Sequence, residues 1–205
     1  MKFPILLYVC AVAGAASAAG AACAQEIRWS AERPLTWADF KGPVARGTAS
    51  VNVAMTAASL SWSYDYEYER SGTSCTYRIT DIRAFAEFHP DQSWVRPGNE
   101  RPAVLAHEQG HFDIAQIHKI TFERQARPFA GVARPCEGRN ERSISSFIER
   151  EIARRVGSIY EQVWREHTRM QDTYDADTNH GMNAAAQREW LDRIAARLRG
   201  EQRPR

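Results

Sequence analysis

The chain has 205 residues, of which 43% are hydrophobic and 25% charged, a composition typical of a globular protein of about one domain. Its formal charge of +2 is close to neutral. A dedicated nucleic-acid binder carries a larger basic excess, so composition argues against a nucleic-acid partner.

The N-terminal segment differs from the rest of the chain. Lys2 precedes an uncharged run of apolar and small residues that ends at Ala22-Cys23-Ala24. A basic start, an apolar stretch and an A-x-A site predict a signal peptide over residues 1–24, cleaved before Gln25. The alternatives are an uncleaved membrane anchor and a lipoprotein signal ending at Cys23.

Export of the chain has consequences for its organisation. The signal peptide predicts a periplasmic or secreted protein with no membrane contact after cleavage. Residues 25–199 then form one domain, and the Arg-rich segment 200–205 is a frayed tail. Two cysteines remain, Cys75 and Cys136, and an exported protein is expected to join them in a disulfide. Two separate thiols are the alternative.

The first half of the domain has strand patterns. Apolar and aromatic residues alternate with polar ones from Ser59 to Glu69, which predicts a half-buried strand. Residues 51–55 predict a partner strand, and residues 71–73 predict a turn. A second long strand follows over 75–88, and its alternation changes phase near Asp81, which predicts a bulge or a bend.

A helical segment carries the motif with the clearest chemistry. His107, Glu108 and His111 form His-Glu-x-x-His, the signature of zinc metallopeptidases. Residues four apart share a helix face, so the two imidazoles can bind one Zn²⁺, and Glu108 can act as the general base for water. We expect the helix to be capped by Asn99 and to end before Pro128.

The C-terminal half is predicted to be helical. A stripe of apolar residues begins after Ser143 and continues to Trp164, which indicates a long amphipathic helix. Residues 174–181 break this pattern, and a last helix follows. The predicted fold class is therefore α+β, with a small antiparallel sheet followed by a zincin-like active-site helix and C-terminal helices.

A catalytic zinc usually has three protein ligands, so a third must come from elsewhere in the chain. His180 is favoured because it lies in a polar turn, outside any apolar stripe. Glu161 is the next candidate, and His89, His118, His167 and several Asp residues remain open. Of these, His167 is expected to be a packed histidine. Asp113 and Asp175 are expected to orient a ligand imidazole, with a surface or capping role as the alternative for both. Tyr174 is expected to donate a hydrogen bond to the reacting carbonyl oxygen.

Several blocks of sequence extend beyond the motif. They are Leu35-Thr36-Trp37 with Phe40, Ser93-Trp94-Val95, the continuation from Gln109 to Asp113, and Tyr174-Asp175 with Thr178 and His180-Gly181, then Gln187 and Trp190. With the central motif, these blocks resemble a bacterial family of uncharacterised exported proteins described as predicted secreted zinc-dependent proteases. The resemblance covers nearly the whole of residues 25–199, and its last block supports His180 as a site residue.

The predicted function is that of an exported zinc-dependent hydrolase, a metallopeptidase with Zn²⁺ as cofactor. Its catalytic residues are Glu108 and Tyr174, and its metal ligands are His107, His111 and His180. Peptides or proteins are the expected substrates, and cell-wall peptide is one class of these. The alternative is an exported zinc-binding protein without catalytic activity.

Overall fold

The computed structural model describes residues 25–44 and 52–201, and these residues form six strands and three α-helices. In chain order they are β1 (Ile27–Arg28), β2 (Ala54–Met55), β3 (Ala58–Ser71), β4 (Ser74–Phe88), β5 (Trp94–Val95), α1 (Pro102–Ala126), β6 (Arg134–Pro135), α2 (Glu141–Thr178) and α3 (Ala184–Glu201). The predicted signal peptide at 1–24, residue 51 of the predicted partner strand and residues 202–205 of the predicted tail lie outside the described residues.

The strands form two small antiparallel sheets. In the larger sheet β4 is central. Strand β3 pairs along the whole of β4, and β1 and β6 pair with its two ends. In the smaller sheet β2 pairs with β5. The predicted α+β class is confirmed. The partner expected for the β3 region was wrong, because Ala54 and Met55 pair with Val95 and Trp94 instead.

The β3–β4 hairpin follows the alternation in its sequence. Its aromatic residues from Trp62 to Tyr68 pack against the core, while the acidic residues between them are exposed. Gly72 and Thr73 form the predicted turn, where Gly72 has a φ of 57°. The predicted bulge is confirmed: Asp65 pairs with Asp81 but Tyr66 pairs with Ile79, so one residue of β4 has no partner.

Helix α1 begins at Pro102, and the residue at its N-cap is Arg101. The predicted cap at Asn99 was therefore wrong. The residue before a proline is pushed towards extended backbone, and Arg101, with φ −92° and ψ 146°, precedes Pro102. The helix ends at Ala126, before Pro128, as predicted. It packs on the hairpin, on α2 and on α3, which makes it the central element of the core. Among the described residues, no helix is long and apolar enough to cross a membrane.

Helix α2 is longer than its apolar stripe predicts. Asn140 caps its start by accepting a hydrogen bond from the Ser143 backbone N–H at 2.9 Å. The helix continues to Thr178, beyond the predicted break at residue 174. Tyr174, which stacks on His107 of α1, and Thr178 are both fully buried, and this burial outweighs the modest helix propensity of Asp and Thr. The extension brings the side chains of this last turn to the histidines of α1.

The predicted disulfide between Cys75 and Cys136 is present, with the two Cα atoms 5.0 Å apart. Cys136 follows β6, which pairs with the start of β4, and its backbone N–H donates to the Cys75 carbonyl at 2.9 Å. The bond closes a loop with a sequence separation of 61 that contains the whole of α1.

We expect the double substitution Cys75→Ser, Cys136→Ser to lower the free energy of unfolding by about 4 kcal/mol, because the chain-entropy model assigns that much to a loop of this length. Urea denaturation of the two proteins measures the difference. Reduction of the wild-type protein should shift its midpoint by a similar amount. An unchanged midpoint in both experiments would contradict the prediction.

Candidate metal centre

Helix α1 directs two imidazole nitrogens at one point. His107 and His111 are one turn apart, and their rings meet edge to face with centroids 4.7 Å apart. Their Nε2 atoms are separated by 3.2 Å. His107 is 3% exposed, so this pair lies at the bottom of the site and not on an open helix face. The spacing of the motif therefore has the geometric consequence expected for a helix.

The third side chain at this point is Asp175, from the last turn of α2. Its Oδ1 lies 3.1 Å from His107 Nε2 and 3.0 Å from His111 Nε2. In the part of the chain that the structure describes, these three residues form the cluster of metal-ligating type whose ligand atoms lie within 4.8 Å of one another. Burial disfavours the Asp175 carboxylate, but its contacts with both histidines outweigh burial and hold its pKa well below the usual range.

The centre attracts positive charge. Burial by itself would lower the pKa of His111, but the nearby carboxylates of Asp175 and Glu108 overcome this effect and raise that pKa above its ordinary value. A proton on His111 and a metal ion between the three side chains are two ways of supplying the same positive charge.

Glu108 lies beside the first histidine and is 3% exposed. Burial raises the pKa of its carboxyl group, and the neighbouring His111 and His107 offset this only in part. Its Oε2 has no hydrogen-bond partner among the described residues. The Thr56 hydroxyl donates to its backbone carbonyl at 3.2 Å, which ties the end of β2 to α1. A buried carboxylate with an unused oxygen is suited to accept a proton.

A cavity leads to these side chains. Its floor contains His107, Glu108, His111 and Asp175. Its walls come from β2 and its flanking residues, from α1, and from α2 and the turn after it; they are residues 52–56, Ala58, Val104, His167, Gln171 and His180.

His180, the predicted third ligand, lies in the left-handed turn after α2 with a φ of 53°. Its Nδ1 is 3.5 Å from Asp175 Oδ1, and it is not one of the three residues of the cluster. It therefore stands next to the cluster, on the wall of the cavity. Glu161, the second candidate, is exposed on α2 and does not line the cavity.

Tyr174 packs against His107. Its ring stacks on the imidazole with centroids 4.7 Å apart and planes at 19°. Its hydroxyl donates to the His107 carbonyl at 3.2 Å and accepts a hydrogen bond from Gln187 Nε2. The side chain is fully buried, and burial raises the pKa of its phenol well above the usual range. With both contacts made, this hydroxyl faces the helix backbone and not the cavity.

Gly110 makes room for that tyrosine. A Cβ at this position would lie 2.8 Å from Tyr174 Cζ and nearer still to its hydroxyl. We expect Gly110→Ala to lower the free energy of unfolding by about 1–3 kcal/mol, as other overpacked cores do. Gly157→Ala on α2 is the matched control, because a Cβ there meets no atom of the described residues within 4 Å. In thermal denaturation the control should gain about 1 kcal/mol from helix propensity. Equal behaviour of the two variants would contradict close packing at Gly110.

Comparison with known protein families gives a match for the chain. The model of the family described as "Bacterial protein of unknown function (DUF922)" matches residues 30–181. The chain belongs to this bacterial family. No curated protein and no solved structure gave a significant match. The DUF922 match includes α1 and the turn that carries His180, and it ends before α3 begins.

Two glutamines at the centre were not assigned a role from the sequence. Gln171 Oε1 lies 2.6 Å from His111 Nδ1, and Gln187 Oε1 lies 2.9 Å from His107 Nδ1. Gln187 is beyond the segment matched by DUF922, although it was part of the resemblance noted above. The position of Gln171, four residues before Asp175 on one helix face, was the available signal once α2 was known to continue.

One acidic residue has a different role from the one expected. Asp113 accepts hydrogen bonds from Trp29 Nε1 at 2.7 Å and from Gln109 Nε2 at 2.8 Å. Gln109 Oε1 in turn accepts from the Leu35 backbone N–H at 2.7 Å. Asp113 therefore anchors the N-terminal segment to α1, while the nitrogens of the two site histidines are engaged by Asp175 and the glutamines.

Proposed function

We propose that this protein is an exported zinc-dependent hydrolase, most simply a metallopeptidase. The observation that carries the proposal is the convergence of His107 Nε2, His111 Nε2 and Asp175 Oδ1, separated from one another by 3.0–3.2 Å. Glu108, whose buried Oε2 has no hydrogen-bond partner in the described part of the chain, lines the same cavity.

The donor set fits zinc. Two imidazole nitrogens and one carboxylate oxygen are ligands that Zn²⁺ accepts, and three protein ligands leave one position for the reacting group. Ligand atoms about 2.0–2.1 Å from a tetrahedral ion are roughly 3.3 Å from one another. The separations in this cluster are close to that value, so only small side-chain shifts would be needed to hold the ion.

The remaining chemistry belongs to the side chains of the chain. Zinc, when bound, would supply a Lewis acid that polarises the substrate carbonyl and makes water more acidic. Glu108 would take the proton from the attacking water and then give it to the leaving amine. Its raised pKa favours the first step, because a carboxylate that holds a proton more readily is a stronger base.

Export of the chain rests on two observations. The pattern of residues 1–24 is that of a cleaved signal peptide. The disulfide between Cys75 and Cys136 is a bond that persists in oxidising compartments such as the periplasm. The substrates would then be extracellular or periplasmic peptides and proteins, or the peptide bridges of the cell wall.

Metal analysis combined with an activity assay tests the proposal. The purified protein should contain about one zinc per chain by mass spectrometry. It should cleave members of a fluorogenic peptide library or of a set of cell-wall peptides, and a chelator should abolish cleavage. A full complement of zinc without cleavage of any probe favours the binding protein over the enzyme. Failure to bind zinc would overturn both functions.

A further inference from the structure

The Nδ1 atom of each histidine at the centre contacts the side chain of a glutamine, one from α2 and one from α3. Gln171 faces His111, and Gln187 faces His107. We propose that these two glutamines are positioning residues that hold both imidazoles with the proton on Nδ1, so that both Nε2 lone pairs point at the shared site. The proposal rests on the proposed function only where it names zinc as the ion that uses those lone pairs.

The orientation of the Gln171 amide follows from its neighbours. One of its terminal atoms lies 2.9 Å from the His111 carbonyl oxygen, which can only accept a hydrogen bond, so that atom is the NH₂ group. The other terminal atom, 2.6 Å from His111 Nδ1, is then the carbonyl oxygen. Since an amide oxygen only accepts, His111 Nδ1 must carry the proton.

A second contact holds the same amide in place. Gln171 Nε2 lies 3.0 Å from His167 Nε2, and His167 is 4% exposed. Both amide protons are therefore used, one by the His111 carbonyl and one by the buried imidazole. A flipped amide would point its oxygen at the carbonyl oxygen of His111, so the polar groups around Gln171 permit one orientation.

The same reasoning applies to Gln187 through Tyr174. The tyrosine hydroxyl gives its single proton to the His107 carbonyl at 3.2 Å, so towards Gln187 it can only accept. The atom of Gln187 that meets the hydroxyl is therefore the NH₂ group. Its oxygen, 2.9 Å from His107 Nδ1, accepts the proton of that nitrogen. Gln187 is 5% exposed, so water does not compete for these contacts.

The two glutamines thus perform the same task from different helices. Histidines that bind metals usually give their other N–H to a carboxylate, a backbone carbonyl or water. Here both partners are neutral amides, and each amide is itself fixed by a buried group, His167 for one and Tyr174 for the other. Removal of either glutamine is expected to weaken zinc binding by roughly 10–100-fold, the effect typical of such outer partners.

Two measurements test the proposal. Nitrogen-15 NMR of the wild-type protein, with and without zinc, should show a protonated Nδ1 on both His107 and His111. Competition with a chromophoric chelator should show weaker zinc binding by Gln171→Leu and by Gln187→Leu. Gln162→Leu is the matched control on α2, since Gln162 is exposed and its side chain donates to Glu166 one turn along the helix. This variant should bind zinc as tightly as the wild-type protein.

The outcomes are separable. An unprotonated Nδ1 on either histidine of the wild-type protein overturns the proposal, whether or not the leucine variants fold. Folded leucine variants that bind zinc as tightly as the control overturn it as well. If the wild-type protein takes up no zinc, the proposed function fails, while NMR of the metal-free protein still decides the protonation of Nδ1.

Discussion

Glu108→Gln should reduce peptide hydrolysis by about 10²–10⁴-fold, the contribution typical of a general base, while zinc remains bound. Glutamine keeps the size of the side chain but cannot take a proton from water. Glu108 is not one of the three clustered ligands, so the metal content should not change. Initial rates on a fluorogenic peptide and zinc content by mass spectrometry, measured on the same preparation, check both halves of the prediction.

Two further variants sharpen this test. Glu108→Ala should lose activity to a similar extent, because it also removes the base. Glu161→Gln is the matched control, since Glu161 is exposed on α2 and lies outside the cavity, so its activity should equal that of the wild type. A Glu108→Gln protein that keeps zinc and full activity would assign the base to another residue. Loss of zinc from it would make Glu108 a ligand.

The parts of the fold that depend on local pattern were predictable from sequence. The alternation of the β3 strand, the turn at Gly72 and the phase change in β4 are each determined by neighbouring residues, and each is present in the structure. The pairing of His107 and His111 is equally local, because a four-residue spacing on any helix brings two side chains together.

The rest of the centre depends on where α2 ends. Asp and Thr are weak helix formers, and the residues from 174 onward look like the start of a turn in sequence. The helix continues because Tyr174, which stacks on α1, and Thr178 are fully buried, an effect of tertiary packing that periodicity does not report. That extra turn places Asp175, and not His180, in contact with both histidines.

The contact of Gln187 also depends on tertiary packing that the local sequence does not determine. This glutamine lies among the buried residues of α3, but a polar residue on an apolar face does not reveal its partner. The partner is His107, 80 positions earlier in the chain, and the contact exists because α1 packs against α3. Local propensity holds no information on such a pairing.

Substitution of Asp175 should therefore weaken zinc binding far more than substitution of His180. The Asp175 carboxylate contacts both histidine nitrogens, whereas His180 Nδ1 lies 3.5 Å from the carboxylate and outside the cluster. Asp175→Ala should reduce zinc affinity by more than about 100-fold, since loss of an outer partner alone costs roughly 10–100-fold. His180→Ala should remain at the lower end of that outer-partner range, about 10-fold or less.

Chelator competition on the two variants decides between the two ligand assignments. Asp172→Asn provides a control on the same helix, because Asp172 is exposed. The affinity of this variant for zinc should equal that of the wild-type protein. If His180→Ala loses zinc and Asp175→Ala retains it, the third ligand is His180, as the sequence predicted. If both variants lose zinc, both side chains hold the ion. Four protein ligands would then fill the tetrahedral positions, and the site would be closed to substrate, as in structural zinc sites.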